Sequence, residues 1–164
     1  MYWLQRGWFK PVYELFDGSN CIGSLVVHSG WKDEAVATMR AGTVRFLQQS
    51  WWRHTFKAVD GMTGQVVATF TGSSWRNDGT FDVAGDRFTL KRAFWRQATE
   101  VADASGATLF KMKNADWFGK RQEVTLYEGV TLDAQIELLL YFAMFVTVSA
   151  VRAEAASVAA AVPT

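Results

Sequence analysis

The chain has 164 residues, of which 49% are hydrophobic and 20% charged, with a formal net charge of +1. That length suits one domain with a sizeable core, and the composition excludes both a disordered chain and a multi-span membrane protein. The near-zero charge supplies no global field for nucleic acid, and the single cysteine, Cys21, leaves no partner for an intramolecular disulfide.

Eight Trp and twelve Phe raise the aromatic share to 15%, which favours a strand-rich fold. Met1 to Arg6 carries no apolar leader or small-residue cleavage site, so a cytoplasmic location is expected. Tyr13-Glu14-Leu15-Phe16 reads as a strand entering the turn Asp17-Gly18-Ser19-Asn20. Lys32 to Ala41 suits helix or strand, and Glu34-Ala35-Val36-Ala37 is read as strand. Thr43 to Leu47 and Gln65 to Phe70 are β-branched or aromatic, and Arg87 to Lys91 and Glu123 to Leu126 alternate polar with apolar. Such alternation marks strands with one buried face. Turn signals fall between them at Asp60 to Gly64, Asn77-Asp78-Gly79, Ala84-Gly85-Asp86 and Asp103 to Gly106. Spacing of roughly 8 to 12 residues between turns indicates an antiparallel sandwich or barrel. Phe56 to Val67 also aligns weakly with Ala98 to Leu109, and a third copy starts at Tyr13. The alignment fits a true repeat and the general likeness of hairpins equally well; on either reading the turn Asp residues are structural.

Ile136 to Val151 is apolar apart from Glu137, Thr147 and Ser149, and Leu138 to Val146 is unbroken apart from the Tyr141 hydroxyl. A helix with no polar face sits inside protein or inside lipid. Sixteen residues span about 24 Å as a helix, whereas a bilayer core is about 30 Å thick and needs about 20 apolar residues. Arg152 is the sole nearby cation on the C-terminal side, and no Trp belt flanks the run. The expected fold is therefore mainly β: a closed antiparallel barrel of about twelve strands around a buried hydrophobic C-terminal helix. Residues 1–152 form the domain, with the central helix over 135–152, and 153–164 form an Ala-rich tail, either a frayed helical extension or disordered.

Strands with Asp-turn-Gly hairpins, followed by one wholly apolar helix, resemble the tubby C-terminal-like superfamily, which includes phospholipid scramblases and LURP-one-related proteins. The likeness is carried by "TFKAVDGMTGQVV", "DRFTLKRAFWRQATEVADASGATLFKMKNADWFGK" and "IELLLYFAMFVTVSAV", between His54 and Val151. It implies a barrel wrapped around the C-terminal helix and, for some members, a role at membranes or with phosphoinositides. The chain departs from the scramblase pattern. Asn114 to Arg121 has one carboxylate and two cations in place of an acidic loop, and there is no Cys cluster. The resemblance therefore does not support calcium binding, acylation or scrambling here.

No catalytic motif is visible: His28 and His54 are far apart, Cys21 is alone, and no metal-ligand spacing or cofactor motif occurs. A non-enzymatic binding module without cofactor or metal is expected. Candidate ligand contacts are the cations Arg87, Lys91, Arg92, Arg96, Lys111, Lys113, Lys120 and Arg121, interleaved with aromatics. Cations bind anionic headgroups while aromatics settle at the interface, so the expected partner is an anionic membrane surface or a phosphorylated ligand. On a strand, Arg87, Thr89 and Lys91 share one face, and Phe88, Leu90 and Arg92 the other. Trp51, Trp52, Trp75 and Trp117 stand as candidate membrane or partner contacts. The alternatives are a structural or protein-interaction domain, self-associating through sheet or Trp surfaces, and a tail-anchored membrane protein.

Overall fold

The computed structural model describes residues 1–7, 10–28, 33–50, 52–73, 78–93, 98–115 and 120–160. Six strands make the first half: β1 (Tyr2–Arg6), β2 (Val12–Asp17), β3 (Asn20–His28), β4 (Glu34–Met39), β5 (Gly42–Ser50) and β6 (Thr55–Asp60). Six more follow: β7 (Val66–Gly72), β8 (Gly79–Val83), β9 (Asp86–Ala93), β10 (Ala98–Ala102), β11 (Thr108–Asn114) and β12 (Arg121–Leu126). One helix, α1 (Ala134–Ala160), ends the described chain. Each strand pairs antiparallel with its chain neighbours, and β1 closes on β12 with Tyr2 opposite Glu123 and Leu4 opposite Arg121. The sheet is thus a closed barrel with no free edge to pair with another chain. The segment Glu34–Met39 is a strand, as its sequence suggested.

A barrel of this strand number leaves a lumen that its own side chains do not fill, and α1 fills it. Of the apolar stretch within 134–157, 78% is buried. The helix comes nearest to β3 and β4 on one side and to β10, six strands away, on the other. Small residues line both approaches: Ala35 and Ala37 on β4, Ala98 and Thr99 on β10, all buried. At Gly23 on β3, a Cβ would collide with the Tyr141 side chain and the Thr38 carbonyl, so only glycine fits there. Aromatics fill the wider gaps. Phe56, Phe70, Phe81 and Phe88 lie opposite one another in a row across β6 to β9. Phe46 sits between Ala35 and Ala58 on its neighbouring strands and reaches Phe142 and Phe145, with centroids at 4.9 and 5.6 Å. Across the lumen, Trp3 meets Tyr141 edge-on at 4.8 Å. Edge-to-face and tilted contacts of this kind add to the burial of large rings. Burial raises the Tyr141 phenol above its ordinary value, and the nearby Glu137 carboxylate raises it further.

The helix starts at the end of the barrel that holds the β4–β5 and β8–β9 turns. Asp133 caps it, its Oδ1 accepting the Ile136 N–H at 2.8 Å. Glu137 is 1% exposed and accepts the Arg40 backbone N–H at 3.1 Å and Arg40 Nε at 3.4 Å. The only acid inside the apolar run is thus paired at the lumen mouth, where a lone buried charge would be costly. Past residue 152, α1 continues unbroken through the tail to Ala160, which is the helical one of the two alternatives expected there.

The three hairpins of the weak repeat, β2–β3, β6–β7 and β10–β11, recur every fourth strand, and each has a register shift close to its turn. In two of them the turn Asp is structural as expected. Asp60 Oδ1 accepts the Met62 and Thr63 N–H groups at 2.9 and 2.7 Å, and Asp103 Oδ1 accepts the Ser105 and Ala107 N–H groups at 2.9 and 3.0 Å. The Thr63 and Met62 N–H bonds hold the Asp60 carboxyl below the usual Asp range, and the Ser105 hydroxyl, donating to Asp103 Oδ1 at 2.6 Å, does most to lower Asp103, with the backbone N–H bonds adding to it.

The helix core makes a direct demand on stability. Phe142 and Phe145 are both 0% exposed, so replacing either by Ala should cost about 3–5 kcal/mol in urea unfolding. A loss below about 1 kcal/mol at both positions would contradict a lumen filled by α1.

Candidate functional site

Among the described residues, the candidate cations do not gather into one patch. Arg87 lies opposite Asp82 across β8–β9, Lys91 opposite Glu100, and Lys113 opposite Glu123. Glu100 also bonds Lys111 Nζ at 2.7 Å. The Arg121 guanidinium lies 4.3 Å above the Tyr2 ring, a cation–π contact. Lys91, Lys113, Lys120 and Arg121 are exposed, but acids interleave with the cations along the sheet face. Exposed ion pairs of this sort contribute little to stability and leave a mixed-charge surface. Arg96, Trp51, Trp75 and Trp117 lie outside the described residues.

Among the described cations of this set Arg92 is the exception, because it does not face outward. In phase with Phe88 and Leu90, its side chain turns inward and is 11% exposed. Its Nη1 and Nη2 donate to Glu154 Oε1 and Oε2 at 2.8 and 3.4 Å, a fork-to-fork pair. The Arg92 backbone N–H donates to Asp78 Oδ1 at 3.3 Å. Arg92 therefore belongs to the end of the barrel where α1 emerges.

At that end lies a cavity of about 450 Å³. Barrel connectivity explains its location. Strands alternate in direction, so the β1–β2, β3–β4, β5–β6, β7–β8, β9–β10 and β11–β12 connections all leave this end, opposite the start of α1. Phe56, Phe70 and Leu90 form an apolar wall, with His54, Asp78 and Arg92 nearer the mouth. His54 takes a positive φ of 44° at the β5–β6 corner, and its carbonyl accepts the Gly72 N–H at 3.0 Å. The helix supplies the facing wall with Val146, Ser149, Ala150, Ala153 and Ser157. These positions recur every three or four residues and so share one helical face. Arg152 Nη1 stands 3.8 Å from Asp33 Oδ1, too far for a hydrogen bond. Arg152 also lowers the Tyr13 phenol, although burial of that ring is the larger effect and raises it.

Two polar atoms beside the cavity, Ser149 Oγ and Arg152 Nη1, are buried and make no hydrogen bond. Thr147, also on the cavity wall, is satisfied: its hydroxyl donates to the Ala143 carbonyl at 2.7 Å and lies 3.3 Å from Thr99 Oγ1. Among the described residues no cluster of His, Cys, Asp and Glu could hold a metal ion. Sequence reasoning missed the cavity, although strand alternation already grouped Arg92 with the inward residues. Glu154, its partner, lay in a tail that looked featureless.

The chain is thus a closed twelve-strand antiparallel barrel around a C-terminal helix, with a cavity at the helix's exit. No family model, no curated protein and no solved structure matches it.

The pair at the exit makes its own prediction. Glu154→Gln leaves the mostly buried Arg92 guanidinium without its counter-charge. The expected cost is about 1–2 kcal/mol, between the values for exposed and fully buried pairs. Amide exchange should also quicken over residues 152–160. Unchanged exchange there would mean that this pair does not hold the end of the helix.

Proposed function

We propose that the protein is a non-enzymatic binding module that docks on anionic membrane surfaces with the end of the barrel from which α1 emerges. The observation that carries this reading is the Trp52–Arg53 pair at the β5–β6 corner. Trp52 is 81% exposed, and the cation beside it is exposed too. Large exposed aromatic surface is unusual on a soluble domain without a contact to make, and Trp settles at the headgroup level of bilayers. Lys10 and Lys120 are exposed at the same end. The mixed-charge sheet faces offer no comparable combination, so the rim takes the role first expected of the outward strand cations. The resemblance to the tubby C-terminal-like superfamily implies a membrane role for some members, which runs the same way. A cytoplasmic, membrane-peripheral location follows from this reading.

Co-sedimentation with vesicles tests it. Binding should be strong on vesicles of about one-third phosphatidylserine, weak on pure phosphatidylcholine, and reduced as salt rises from about 0.05 to about 0.5 M. Arg53→Ala should weaken binding about fivefold, in line with about 1 kcal/mol for each cation near the surface. Trp52→Ala should weaken it as well. Arg87→Ala, at the opposite end of the barrel, should leave it unchanged. No binding to anionic vesicles at low salt, or equal loss from Arg87→Ala, would overturn the assignment.

A further inference from the structure

The cavity at the helix exit has the makings of a second, independent binding site. Its volume, about 450 Å³, lies within the range of about 300–1,000 Å³ that small-molecule pockets take. One wall is the apolar surface of Phe56, Phe70 and Leu90, and the other is the small-residue face of α1. Between them is a slot suited to an extended alkyl chain. Its polar chemistry is specific. Arg92 is already engaged by Glu154 through both nitrogens. Along the same cavity, Ser149 Oγ, on a residue 4% exposed, and Arg152 Nη1, which is 3.8 Å from Asp33 Oδ1, are buried without a hydrogen-bond partner. A guanidinium nitrogen only donates, and a hydroxyl donates or accepts. A matching ligand must therefore bring acceptor oxygens to this point. Asp33, Asp78 and Glu154 also face the cavity and would repel a doubly charged head such as a phosphomonoester. One singly charged or neutral acyl head fits this balance of charge.

The geometry points to the cavity as a binding site for a single-chain acyl lipid. Its carboxylate or ester carbonyl would meet Arg152 Nη1 and Ser149 Oγ, and its chain would lie against Phe56, Phe70 and Leu90. This goes beyond docking on a membrane. The ligand enters as a dissolved molecule, and the site works with no vesicle present.

Laurate, kept below its micelle-forming concentration, is the probe, and titration calorimetry without vesicles is the measurement. Laurate should bind the full-length protein with one-to-one stoichiometry. Arg152→Gln should weaken it by about tenfold or more, as expected for a charge-assisted hydrogen bond. Ser149→Ala should weaken it severalfold while the apo protein melts at the same temperature or higher, because an unpartnered hydroxyl is removed. A purely structural serine would not show that opposition. Ala153→Trp places a bulky ring at an exposed mouth position, away from the core, and should abolish binding with Tm retained. Tenfold weaker binding of methyl laurate would assign the site to free fatty acids, and equal binding would assign it to acyl esters. Three results would overturn the proposal: no laurate binding by the wild-type protein, full binding by Ala153→Trp, or tighter binding of dodecyl phosphate than of laurate. Each is separate from the vesicle assay, so either site can fail alone.

Discussion

Everything in this molecule depends on how the lumen of the barrel is filled. Closing twelve strands removes the edges of the sheet but leaves a space too wide for inward side chains to meet across. A void there would forfeit the dispersion contacts and apolar burial on which folding rests. The apolar segment of α1 occupies that space, and its lack of a polar face, unfavourable on any surface helix, is what the lumen requires. The barrel sequence is adjusted to it: alanines and Gly23 where the helix backbone approaches, and phenylalanines where the wall stands off. A membrane span and a barrel core can therefore look alike in sequence. Here it is the enclosing sheet that distinguishes them.

The two ends of α1 are handled differently. Where the helix starts, Asp133 caps it and Glu137 is paired with Arg40, so the mouth is closed by well-partnered polar groups. Where it leaves, the apolar filling gives way to Ser149, Arg152 and Glu154, and the wall opposite recedes into a cavity. Arg92 and Glu154 hold the emerging helix, while Ser149 Oγ and Arg152 Nη1 are buried without a hydrogen bond, as are Trp3 Nε1 and the Tyr141 hydroxyl inside the core. Buried groups without partners are costly and uncommon in a finished core. The same end carries Trp52 and Arg53, so both proposals meet on one pole of the barrel.

Much of the architecture was legible beforehand because it depends on periodicities of two and of none. Arg87 to Lys91 alternates because its strand has one wet and one dry face, and Leu138 to Val146 is uniformly apolar because every face is dry. The extension of α1 to Ala160 was one of two readings the sequence left open. Its alanines suit helix and disorder alike, and what orders them is Glu154 reaching Arg92 sixty-two residues away. The site was harder still. Arg92 sits among cations that share its composition but not its direction, and composition does not show which of them turn inward. The cavity depends on the size of residues from β6, β7, β9 and α1 acting together, which no local pattern records.

Native-state hydrogen exchange of the α1 amides over residues 138–148, in buffer without lipid or detergent, tests the central claim most directly. If α1 is the core of the barrel, these amides exchange only through global unfolding. Their opening free energy then equals the unfolding free energy from denaturant melts, and adding vesicles leaves it unchanged. Rapid exchange in buffer that becomes protected only when vesicles are added would show a helix that belongs to the membrane, and would contradict the account.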